Sequence, residues 1–358
     1  MAERRMGRQS VYFEKKPYII GSAAVGGKKE SSGPLNRWFD LTLNDDMYEE
    51  KTWEKAESKM LKECMLIALK KSGREQKDID LILSGDLLNQ IMASSFMARD
   101  MHIPFLGLYG ACSTMTESLL VGAMLTEGGF AQNILAGASS HFCTAERQFR
   151  MPVEHGNQRP PSAQWTATAA GAMVLSLQPE IFNKDKSESE MGKNTALKNI
   201  RIDCGTIGKV IDAGVKDPNQ MGSAMAPAAV DTILNHLEDT GRDLEYYDLI
   251  LTGDLGYIGK DITTDLLVDA GLREKQVKQR YEDCGTMLYF REEQDIHGGG
   301  SGCGCSAAVF SGNIISRMKT GELPRVLLIS TGAMLSTVSP FQGESIPGIA
   351  HAVALEVF

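Results

Sequence analysis

The chain has 358 residues, of which 42% are hydrophobic and 23% charged, and its formal net charge is −9 at pH 7. That balance excludes disordered, collagen-like and coiled-coil chains, and the acidic total argues against broad nucleic-acid binding, which needs a basic surface. No apolar window of ~18 residues occurs, so no membrane span is expected, and at about 150 residues per domain the length fits two domains or two fused halves.

The opening stretch, MAERRMGRQSVYFEKKPYII, carries Arg4, Arg5, Arg8, Lys15 and Lys16. It lacks an apolar core and a small-residue cleavage site, so it does not read as a secretory signal. Its cations would suit an anionic bilayer surface. PYIIGSAAVG, from Pro17, reads as an apolar strand. Residues 52–71 then place Met60, Cys64, Ile67 and Leu69 broadly on one helical face.

The next segment repeats later in the chain. Residues 72–87, SGREQKDIDLILSGDL, match residues 240–255, TGRDLEYYDLILTGDL, at nine of sixteen positions with a fixed offset of 168. Both read as a helix closed by Gly, a short connection, and a buried strand ending at Gly-Asp. The helix before the second copy, 222–239, places Ala229, Ile233, Leu234 and Leu237 together. A weaker correspondence relates 110–140 to 303–333, aligning Cys112 with Cys305, Ser113 with Ser306 and Gly128 with Gly321. Each reads as a tight small-residue turn, a helix, Gly and an aliphatic strand. The polar segment 182–198 separates two βαβ-rich halves, 17–178 and 198–358. Alternating strands and helices imply mostly parallel sheets covered on both faces, with ligands held where the halves meet.

GLYGACSTMTESLL is the most informative segment. Gly110 and Ala111 allow a sharp turn that sets Cys112 at a helix N-terminus, where free amides and the helix dipole would favour a thiolate. The alternative is a small buried hydrophobe. A reactive thiol needs a base. The histidines are His102, His141, His155, His236, His297 and His351. Of these, His141 follows a predicted strand end and His297 precedes a glycine run; each could equally be a hydrogen-bonded structural residue. HGGGSGCGCSAA (297–308) would let backbone approach a ligand closely. It has no Lys after its glycines, which excludes a P-loop, and it does not fit the dinucleotide pattern. Arg147, Arg150 and Arg159 cluster beside Gln148 and Gln158, either as a carboxylate-binding group or as surface pairs with Glu146 and Glu154. Seven cysteines, odd and sparse, fit a reducing compartment. Cys303 and Cys305 have no second pair at zinc spacing, so no metal site is expected.

The repeated halves, the Cys112 turn, and NILAGASSH and TATAAGAMVLS after it resemble the thiolase and ketoacyl-synthase superfamily over almost the whole chain. Eight blocks in order are similar to a stage V sporulation family within it: GPLNRWFD, SGDLLNQ, IPFLGLYGACST, TAERQFRMP, MGSAMAPAA, DLILTGDL, GGGSGCGCSAA and ESIPGIAHAV. The resemblance implies an α/β thiolase-like fold whose duplicated halves form a layered αβαβα body. It implies a cysteine nucleophile at Cys112. The two partner positions fall at Gly253–Asp254, where no imidazole stands, and near Gly302–Cys305, where neither Asn nor His stands. The implied function is therefore non-catalytic binding of dipicolinic acid (pyridine-2,6-dicarboxylate), free or as its calcium chelate, with no cofactor and no metal site. This would support dipicolinate uptake into the developing spore and, later, germination.

Ligand-binding candidates are Cys112, Ser113, His141, Arg147, Arg150, Gly300 and Cys305. Expected partners are the other membrane-embedded stage V sporulation A proteins at the forespore or spore inner membrane, where the chain would be peripheral and soluble when isolated. Homodimerisation is expected by analogy. The alternative is an acyltransferase using Cys112 on a coenzyme A thioester.

Overall fold

The structure, a computed structural model, describes residues 3–149, 159–180 and 197–358. The first sheet is built from β1 (Tyr18–Gly26), β2 (Leu81–Gly85), β3 (Phe105–Gly107), β4 (Asn133–Ser140) and β5 (Ala169–Ser176). The second is built from β6 (Ile200–Thr206), β7 (Leu249–Thr252), β8 (Tyr281–Asp283), β9 (Arg325–Ala333) and β10 (Gly348–Val357). Their spatial orders are β1-β5-β4-β2-β3 and β6-β10-β9-β7-β8, the same path twice. Among the described residues the two sheets join where Tyr18 and Ile19 of β1 pair antiparallel with Arg201 and Ile200 of β6.

The helices follow the same duplication. They are α1 (Trp53–Ser72), α2 (Met92–Met101), α3 (Thr114–Glu127), α4 (Phe142–Phe149), α5 (Met221–Thr240), α6 (Gly256–Asp269), α7 (Glu274–Arg280) and α8 (Cys303–Val309), the last continuing through a π turn to Lys319. α1 and α5 have equal length and lie at the repeat offset of 168. Each ends at a glycine in the left-handed region, Gly73 (φ 69°) and Gly241 (φ 64°), where a side chain would be strained. α1 covers the outer face of the first sheet and α5 that of the second, while α3 and α8 pack between the sheets. The result is the αβαβα layering, and the central helices carry the cysteine-rich turns to its middle.

The sheets are mixed rather than mostly parallel. β4, β2 and β3 run parallel, but β5 is antiparallel to both β1 and β4. β10 is likewise antiparallel to β6 and β9. A parallel neighbour needs a crossover back to the starting end of the sheet, and the short β9–β10 connection makes none.

Of the N-terminal cations, Arg4 and Lys16 pair with carboxylates, while Arg5 and Lys15 donate to the Arg8 and Glu127 carbonyls. Arg4 pairs with Glu14 at 2.5 Å, and Lys16 pairs with Asp203 at 2.6 Å and Glu356 at 3.0 Å. The carboxylate of Asp239 accepts the amides of Arg8, Gln9 and Ser10 at 2.8–2.9 Å. Strand Ser10–Tyr12 then pairs with β6. No helix among the described residues is long and apolar enough to cross a membrane.

Candidate functional site

Cys112 sits one residue before Ser113, the N-cap of α3, at a turn where Ala111 adopts φ 50°. A non-glycine residue in that region is strained and persists because its surroundings over-determine it. The turn closes on itself. The amides of Ser113 and Thr114 bond the carbonyls of Gly110 and Ala111 at 3.0 and 3.3 Å, and the Ser113 hydroxyl donates to Gly110 O at 2.7 Å.

Cys112 lines a small cavity of about 30 Å³ between the halves. The first half contributes Leu87, Tyr109, Ala145 and Phe149, and the second contributes Met221, Ala333 and Leu335. Thr166 and Ser301 supply hydroxyls. The walls are apolar, and no cationic side chain is among the described lining residues.

The Cys112 thiol lies beside the carboxylate of Asp254. Asp254 is fully enclosed. Its Oδ1 accepts the Thr331 hydroxyl at 2.8 Å, and its Oδ2 accepts the Gly302 amide at 2.8 Å. Burial raises this carboxyl to about 6. The thiol is pushed well above its usual range, by burial first and then by Asp254 and Cys303. These surroundings oppose the activation expected of a helix N-terminus: the Ser113 and Thr114 amides are engaged within the turn, and the neighbouring ionisable side chain is a carboxylate.

Asp254 shows how duplicated sequence acquires two roles. Its repeat mate Asp86 accepts the amides of Leu88 (2.9 Å) and Ser94 (2.7 Å) in its own half. In the second half Asp283 performs that bracing, accepting Leu255, Gly256 and Gly285 amides at 2.9 Å. Asp254 is thereby left to turn toward Cys112.

The other candidates are dispersed. Ser113 faces its own turn and does not line the cavity. His141, buried at the end of β4, has Nε2 2.8 Å from Asp46 O and Nδ1 accepting the Cys143 amide; burial lowers its pKa. Its neighbours Asp46, Phe142 and Cys143 line a different groove of about 540 Å³, shared with Lys28, Lys29 and Trp165. Arg147 pairs with Glu54 and lies 5.2 Å over Trp53. Arg159 contacts Asp295 and lies 4.8 Å over Trp165. Arg150 and His155 lie outside the described residues, as do Gln158 and Glu154. His297 meets Asp295 at 2.7 Å, away from Cys112.

The glycine run approaches the protein's own chain rather than open space. A Cβ on Gly300 would meet the Tyr289 ring at 3.0 Å and Cys305 Sγ at 3.1 Å. Gly302, at φ 94°, abuts Ser140. Cys305 is fully buried and does not line the cavity, whereas Ser301, beside Gly300, does. The positive-φ residues Ala111 and Gly302 precede Cys112 and Cys303, so the structure equates those two cysteines rather than Cys112 with Cys305. The sequence reading named Asp254 only as a vacant imidazole position; the signal for its role was the unexplained second Gly-Asp. Met221 and Leu335 carried no local signal.

Solved structures share the fold. The 3-oxoacyl-[acyl-carrier-protein] synthase III of Aquifex aeolicus superposes with TM-score 0.53 at 12% identity, covering 95% of this chain and 99% of that one. The E117D variant of OleA from Xanthomonas campestris gives 0.58 at 13%, covering 97% and 98%. At such identity the likeness concerns the fold alone. A curated relative, stage V sporulation protein AD of Bacillus subtilis (strain 168), is 42% identical over 350 residues, 98% of this chain and 97% of that protein. The family model for stage V sporulation protein AD (SpoVAD) matches residues 7–356. The thiolase-like body, the Cys112 turn and these matches lead to one assignment: the chain belongs to the stage V sporulation protein AD family.

Proposed function

We propose that this sporulation protein is a non-catalytic binder of dipicolinic acid that supports its uptake into the developing spore. One observation carries the non-catalytic part. The cysteine at the nucleophile turn faces Asp254, which holds it as a thiol, and no imidazole lines its cavity among the described residues. Acyl transfer needs a thiolate and a proton carrier; binding needs neither. Apolar walls suit a flat ring, and the Thr166 and Ser301 hydroxyls suit its carboxylates. A cavity of about 30 Å³ holds little more than a water, so admitting the ring requires Phe149 and Leu335 at the wall to part.

The test is calorimetric titration of the purified chain with dipicolinate, with and without calcium. Binding by the native chain and its loss in Ala145→Phe, whose folding is checked by its melting curve, support the reading. Absence of binding at millimolar ligand overturns it.

A second reading, an acyltransferase acting through Cys112 on a coenzyme A thioester, is favoured by the strained turn that presents this cysteine to the cavity. An acyl mass increment on Cys112 after incubation with an acyl-CoA would establish it. We further propose that the chain lies peripherally at the spore inner membrane beside membrane-embedded stage V sporulation A proteins. Its homodimer would form through the edge strand β3, where Leu106 is exposed, and the residues just after it, where Tyr109 is exposed. Leu106→Asp should then shift the chain to a monomer on size-exclusion chromatography.

A further inference from the structure

Behind Ser301 of the Cys112 cavity wall lies a buried carboxylate, Asp254, with no cation beside it among the described residues. The groups facing Asp254 come from every neighbouring element. They are the Cys112 thiol from the turn before α3, the Thr331 hydroxyl from β9, the Ser301 hydroxyl at 3.4 Å, and the Gly302 amide. Cys303 and Cys305 approach from α8, and Asp283 and Cys284 from the end of β8. None of these carries positive charge. The described cavity walls hold no Lys, Arg or His either.

An anion placed against Cys112 would therefore meet a like charge in a low-dielectric space, where repulsion is strong. We propose that a dicarboxylate entering this cavity is accompanied by one proton, taken from solvent onto the Asp254 carboxylate. This rests on the dipicolinate reading and adds a linkage that the reading itself does not require. The balance is simple: carboxylate plus a solvent proton gives the neutral acid, and no other bond is broken. The change also alters the wall. The Ser301 hydroxyl, which lines the cavity, donates to the ionised carboxylate at 3.4 Å; a neutral acid is a weaker acceptor, so this hydroxyl is freer to donate to the ligand. Burial already holds Asp254 at about 6, so the proton is within reach at neutral pH.

The experiment is calorimetry with metal-free dipicolinate in two buffers of different ionisation enthalpy, repeated across pH 7 to 8.5. The native chain should take up about one proton per ligand, and affinity should fall about tenfold per pH unit across that range. Asp254→Asn, with its fold checked by circular dichroism, should bind with no proton uptake and no pH slope. Native binding without proton uptake overturns the linkage and leaves the dipicolinate reading standing. Uptake that persists in Asp254→Asn overturns the assignment to this residue. No binding in any buffer overturns the dipicolinate reading and the linkage together.

Discussion

The thiol of Cys112 lies beside the buried carboxylate of Asp254, and the two residues come from opposite halves of a duplicated chain. This juxtaposition sets an acid, not a base, beside the cysteine and raises its thiol further.

Alkylation measures that control. A thiol raised by burial and by a facing carboxylate has a smaller thiolate fraction at any given pH, and the thiolate is the nucleophile. Cys112 should react with iodoacetamide at pH 8 at least about tenfold more slowly than free cysteine. Asp254→Asn should raise the rate at the same pH. Mass mapping of the modified peptide reads both, and reaction at the free-thiol rate would show that Asp254 does not control Cys112.

The strained turn can be relaxed. Ala111 at φ 50° occupies a region that glycine enters without penalty. Ala111→Gly should stabilise the fold by up to about 1 kcal/mol. The β-branched Ala111→Val should destabilise it by about 1–2 kcal/mol. Urea denaturation midpoints check the order Gly, Ala, Val.

Stability should rise as pH falls from 8 to 6.5. Burial raises Glu57 to about 8, with Asp86 adding to it, and raises Asp283 to about 7 and Asp254 to about 6. A carboxyl raised in the folded state contributes stability that is complete below its unfolded value and lost as pH climbs through the folded one. The gain from pH 8 to 6.5 is on the order of 2 kcal/mol, mostly from Glu57, with Asp283 and Glu30, which burial also raises to about 7, adding to it. Below about 6.5 the buried histidines His141, His236 and His351, all lowered by burial, oppose it. The curve should therefore flatten there. Glu57→Gln should remove most of the rise above pH 6.5, read by chemical denaturation at each pH.

The N-terminal segment should matter to folding before it matters to any membrane. Deleting residues 1–16 removes the strand paired with β6 and leaves the Asp239 and Glu127 carboxylates without their amide and cation partners. Lost pairing of this kind costs about 2–4 kcal/mol. Melting of the truncated chain should begin several degrees earlier, and an unchanged melting temperature would refute the contribution.

The element order and the duplication were legible from the residues. Helix-closing glycines, aliphatic runs and the nine-in-sixteen repeat are local signals, and α1 and α5 form where their periodicity places them. The turn at Cys112 was legible for the same reason, since small residues before a helical pattern permit a positive φ. What no local pattern contained was which side chains meet. His141 and Arg147 lie near Cys112 in the chain yet point to another groove and to Glu54. Asp254, Met221 and Leu335 lie far away in the chain yet enclose it. Packing α3 and α8 between two sheets decides those neighbours, and burial by that packing pushes the cysteine thiol up where the helix end that the sequence displays would have lowered it.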